Sequence, residues 1–164
     1  MRKLVLIGLL GVLLAAFSAL PASATPNTVS VRMTFTEPVM ADGQALCPDL
    51  HDTNCGRGVV HPYGLADETL AFFAGCGGAC DFRTINLPEG SLFTEETASD
   101  FSCPGACGSQ SYPHVNPPFR ATLTDVIVGG TGIFAGATGT LVGTVVGAGW
   151  HGQIELSGTI TLGS

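Results

Sequence analysis

The sequence predicts an all-β protein, an antiparallel sandwich or barrel. Three observations carry this reading. Short runs alternate apolar and polar residues with a period of two. Turn-prone clusters, fed by 23 glycines and 10 prolines in 164 residues, separate those runs. Beyond the N-terminal stretch no segment shows the periodicity of an amphipathic helix.

Taken in order, the chain opens with Met1-Arg2-Lys3, continues almost wholly apolar over residues 4–20, and then reads Pro21-Ala22-Ser23-Ala24. A basic start, an apolar middle and a small-x-small ending are the parts of a secretory signal peptide, residues 1–24, cleaved after Ala24. The rival reading is a retained anchor, since roughly 17–25 apolar residues span a bilayer. The Ala22-x-Ala24 ending and the turn-prone Thr25-Pro26-Asn27 favour cleavage. No cysteine follows closely enough to suggest a lipid anchor. Residues 25–164 are thus expected to be one secreted domain, with no membrane association after cleavage.

Thirteen acidic residues outnumber six basic ones, for a net charge of −7, and Arg2 and Lys3 leave with the leader. Arg32, Arg57, Arg83 and Arg120 remain, without a basic cluster. Phosphate backbones and anionic membranes are therefore poor partners. Lys3 is the only lysine, so Schiff-base and pyridoxal chemistry is excluded.

Residues 28–36, TVSVRMTFT, form the first expected strand, with Val29, Val31, Met33 and Phe35 on one side and Ser30, Arg32, Thr34 and Thr36 on the other. Glu37-Pro38 ends or bends it, because proline cannot donate to a ladder. Residues 41–118 hold every cysteine and read as long loops between strand-like pieces at 58–62, 70–73, 82–87 and 91–95. Regular alternation returns in strands at 119–128, 140–148 and 151–162. In the last, Ile154, Leu156, Ile160 and Leu162 oppose His151, Gln153, Glu155, Ser157, Thr159 and Thr161.

The six cysteines, Cys47, Cys55, Cys76, Cys80, Cys103 and Cys107, are an even set in an exported chain, which reads as a disulfide framework. CGGAC at 76–80 and CPGAC at 103–107 repeat a spacing whose small residues let a tight loop close. The favoured pairing is local, Cys47 with Cys55, Cys76 with Cys80 and Cys103 with Cys107; a crossed pairing that joins the two repeats stays open. Cys47-x3-His51-x3-Cys55 offers zinc-type ligands, but an oxidising compartment disfavours thiolates, and no metal is expected. Redox dithiols favour C-x-x-C at a helix start, which is absent here.

GGTGIFAGATG, residues 129–139, connects two of the late strands. Gly129, Gly130, Gly132, Gly136 and Gly139 supply positive φ or close approach. Ile133 and Phe134 are expected to drop into the core, with Ala137 packed beneath. The stretch is neither a Walker loop nor a dinucleotide fingerprint. It resembles the G-G-[ST]-G-x-F signature of the allene oxide cyclase and dirigent families, here in a secreted bacterial-type chain. Residue types, spacing and flanking strands agree over about residues 119–163. The resemblance implies an antiparallel eight-stranded β-barrel of calycin type around a mostly apolar cavity. It also implies cofactor-free steering of a hydrophobic intermediate through cyclisation or isomerisation, and a homo-oligomer as one expected state.

No catalytic set can be carried over from that resemblance, because the families' functional side chains lie on other strands. Candidate ligand contacts are His61 and Tyr63, which flank Pro62 near an expected barrel rim, and Arg32 and Arg120, on polar strand faces. Either arginine polarises a ligand oxygen if its face lines a cavity, and solubilises the protein if it faces water. His151 and Glu155 stand ~13 Å apart along a strand, too far for an acid–base pair. The acidic pairs Asp67-Glu68 and Glu95-Glu96 read as solvated turns rather than a glycosidase set. Three function classes follow. The first is a secreted barrel that binds a small hydrophobic ligand and guides its cyclisation or isomerisation. The second is a non-catalytic structural or interaction module. The third, a hydrolase, ranks last because no nucleophile elbow is present.

Overall fold

The computed structural model describes residues 27–38, 53–103, 116–149 and 151–163. The expected leader and its cleavage site, Cys47, His51 and Cys107 lie outside the described residues. Eight strands follow in chain order: β1 (Asn27–Pro38), β2 (Thr53–His61), β3 (Gly64–Gly75), β4 (Cys80–Leu87), β5 (Gly90–Ser102), β6 (Asn116–Gly130), β7 (Thr138–Gly149) and β8 (His151–Leu162). Each pairs with its sequence neighbour, and β1 pairs with β8, so the sheet closes into an antiparallel barrel. Among the described residues the one helical element is a 3-10 turn, Gly132–Phe134.

Period-two alternation decides which side chains enter. In β1, Val31, Met33, Phe35 and Glu37 point inward while Arg32 and Thr36 are exposed. A barrel of about eight strands is just wide enough to be filled by its own side chains. Met33, Phe35, Val60, Ile85, Leu92, Phe134, Leu141, Leu156 and Ile160 do this, all within one apolar cluster.

The barrel has two unlike ends. At one, short connections follow β2, β4 and β6. There the glycine-rich turn folds over the barrel and plugs it with Phe134, which is fully buried, above Ala137. Gly132 has φ +58°, and a Cβ on it would stand 2.0 Å from the Glu89 carbonyl oxygen, so only glycine fits. Ile133, expected in the core, is instead exposed. Consecutive residues of a tight 3-10 turn cannot share one direction, and Phe134 takes the inward one.

At the other end β1, β3, β5 and β7 finish, and Cys55, Cys76, Cys80 and Cys103 gather there. Cys76 and Cys80 form a disulfide with Cα atoms 5.4 Å apart, which excludes a crossed pairing through either of them. Cys55 and Cys103 are also disulfide-bonded. The expectation of long loops across 41–118 is corrected over 53–102, where β2, β3, β4 and β5 are long, ladder-paired strands. Glycines, bulges and inward charges broke the alternation that would have revealed their length. A register shift between Ala71 and Gly75 is one such interruption.

Candidate functional site

Towards the cysteine end, the apolar packing gives way to a charged layer inside the barrel. Arg83 of β4 is fully buried and sits among Glu37 of β1, Glu68 of β3, Glu96 of β5 and Asp125 of β6. Each is in the inward phase of its strand. Arg83 shares a face with Ile85 and Leu87, Glu68 with Ala66 and Leu70, and Asp125 with Leu123 and Ile127.

The guanidinium is the hub. Its Nη1 donates to Glu68 Oε2 and its Nη2 to Glu96 Oε2. Glu37 Oε1 lies 3.7 Å from Nη1, and Asp125 Oδ2 lies 3.3 Å from Nε. Two neutral residues complete the layer: Thr94 Oγ1 donates to Asp125 Oδ2 at 2.7 Å, and Asn54 Nδ2 donates to Glu37 Oε2 at 3.3 Å. Glycine makes the room. A Cβ at Gly56 would stand 2.5 Å from Glu68 Oε1 and 3.1 Å from Glu37 Cγ.

Four carboxylates face one cation, and the interior has little water to share the charge. Among the described residues, Glu37 Oε1, Glu68 Oε1, Asp125 Oδ1 and Arg83 Nε have no hydrogen-bond partner. Desolvation consequently outweighs the pull of Arg83: the Glu68 carboxyl is pushed up to about 7 and that of Glu96 to about 8. Burial raises Glu37 as well, against Arg83 and Asn54. The four acids hold Arg83 firmly protonated, well above its ordinary value, in spite of its burial. The layer thus contains carboxyl groups that exchange protons near neutrality, beside a permanent cation, as acid–base chemistry requires.

Beyond the layer the next described positions are exposed. The next inward position of β5 after Glu96 is Ala98, which is exposed, and Phe72 on β3 is 38% exposed. Among the five charged residues Glu37 and Glu96 are the most exposed, at 4% each, and Asn54 beside Glu37 is half-buried.

The contacts expected from sequence lie elsewhere. Arg32 is on the outer wall, paired with Glu155 at 3.8 Å, and His61 stands opposite it in the β1–β2 register, also exposed. Arg120 is exposed opposite Val146 on β7. Arg32 and Arg120 therefore take the solubilising role, and Arg83 is the interior cation. Tyr63 is half-buried at the glycine end, edge-on to Phe134 with ring centres 5.1 Å apart. Glu68 and Glu96, read as members of solvated acidic turns, are the main correction. Each acidic pair straddles a strand, so Asp67 and Glu95 face outward while Glu68 and Glu96 face in. The zinc set's Cys55 is disulfide-bonded. Cys76, Cys80 and Glu95 place potential ligand atoms within 4.8 Å of one another, but the two sulfurs are joined.

Fold and site together define a closed eight-stranded antiparallel barrel, apolar and filled at one end, with an ionisable layer under the other. No family model matches the chain, and neither a curated protein nor a solved structure does so.

Proposed function

We propose that this is a secreted barrel that binds a small, largely hydrophobic molecule at its cysteine end and steers its isomerisation or cyclisation without a cofactor. The carrying observation is the buried layer of Arg83 with Glu37, Glu68, Glu96 and Asp125. Such a layer costs stability relative to apolar filling, so its presence in a small barrel points to use. The ligand's apolar body lies against Ala98, Phe72 and neighbouring wall, and its polar group meets the layer. Glu68 and Glu96 give and take the proton, while Arg83 holds developing negative charge. The GGTGIF turn at 129–134 supports kinship with allene oxide cyclase-like and dirigent-like barrels, and the apolar leader supports export.

Native mass spectrometry of protein purified from its own culture medium tests this reading. A retained small molecule, lost from Glu96→Gln, is expected. A second reading, a non-catalytic module, draws on the filling of the glycine end by Met33, Phe35, Phe134 and Leu156. An empty wild-type protein, with Glu96→Gln equally stable at all pH values, would select it.

A further inference from the structure

The charge balance of the layer points to one head group. Resting on the ligand-binding reading above, we propose that the molecule taken by this interior carries a protonated amine, and that the site selects ammonium compounds over acids and alcohols of the same skeleton.

Among the described residues, five charged groups face the site. Glu37 enters from β1, Glu68 from β3, Glu96 from β5 and Asp125 from β6, against Arg83 alone from β4. All four acids pair with that guanidinium, and although its Nε makes no hydrogen bond among the described residues, Asp125 Oδ2 stands 3.3 Å from it, so little of the cation is open to an anionic ligand. Acceptors are left over. Among the described residues, Glu68 Oε1 and Asp125 Oδ1 take no hydrogen bond although their residues are 1% and 0% exposed. An ammonium group offers three donors and no acceptor, and so fits what the layer lacks. A carboxylate would bring acceptors and like charge to a site rich in both. The acidic balance of the whole chain, −7, draws cations to the barrel and repels anions. Ammonium binding displaces protons held by the Glu68 and Glu96 carboxyls, so it is coupled to proton release.

Isothermal titration of the exported protein at pH 7 with octylamine, octanoate and 1-octanol, each in two buffers of different ionisation enthalpy, tests this. Octylamine should bind at least about tenfold more tightly than the other two, with a buffer-dependent heat that reports proton release. Glu68→Gln should weaken octylamine by about tenfold or more, and Glu96→Gln provides the same test if the first variant folds poorly. Glu155→Gln, on the outer wall, should change nothing. Octanoate or octanol binding as tightly as octylamine, or octylamine binding that is indifferent to both interior variants, overturns the head-group assignment and leaves the ligand reading standing. Failure of all three probes to bind removes both.

Discussion

At the scale of single residues, Arg83 is where charge and packing meet. Its removal leaves four buried carboxylates with no counter-charge, so Arg83→Met should cost about 3–5 kcal/mol in denaturant unfolding, as breaking a buried ion pair does. A loss below about 1 kcal/mol would mean the acids are neutral without it. Legibility is instructive here. Arg83 lies two residues before Ile85, itself two before Leu87, and Asp125 lies between Leu123 and Ile127 at the same spacing. The alternation was therefore visible in the sequence and marked both side chains as inward. What hid them was the expectation that charges face water. Glu68 and Glu96 were harder, since each has an acidic neighbour of the opposite phase, and a doublet of acids resembles a turn.

At the scale of elements, the glycine-rich turn and the Cys76–Cys80 loop act differently. Gly132→Ala forces a Cβ against the Glu89 carbonyl at a backbone angle that disfavours it. The expected loss is about 2 kcal/mol or more, read as a lower melting temperature with the barrel otherwise unchanged. The disulfide closes a five-residue loop at the end of a hairpin whose strands are already paired. Replacing both cysteines by serine should cost no more than about 2 kcal/mol, the chain-entropy value for so short a loop. Unfolding of the double variant at room temperature would show that the loop organises the barrel rather than trimming it. CGGAC favoured the local pairing of these cysteines, because small residues let so short a loop close, but it left the crossed pairing open until the fold decided it. The lengths of β2 to β5 were not legible. Glycines such as Gly56 and Gly58 contribute no side chain to an alternation, yet here they are inward or close-packed positions.

At the scale of the whole molecule, the closed sheet makes stability depend on pH in a stated direction. Glu68 and Glu96 have folded-state values raised from 4.5 to about 7 and about 8, so the folded barrel holds more protons than the unfolded chain between those limits. Unfolding then releases protons, and stability falls as pH rises from about 4.5 to about 8, then levels off. Melting temperature measured across that window should decline for the wild type. It should decline less for Glu68→Gln and for Glu96→Gln, which carry no proton to lose. A melting temperature that climbs through the same window would show these carboxyls ionised throughout, held by Arg83.

The sequence by itself determined the fold class, the outward and inward phases of β1 and β8, and the burial of Phe134. These depend on residues near one another in the chain, where period-two alternation and turn chemistry act. Only the tertiary structure decided that Glu37, Glu68, Arg83, Glu96 and Asp125 meet, since they come from five strands whose inward faces converge once β1 closes on β8. Closure turns five scattered charges into one coupled layer, because it takes them out of water together and leaves them only each other.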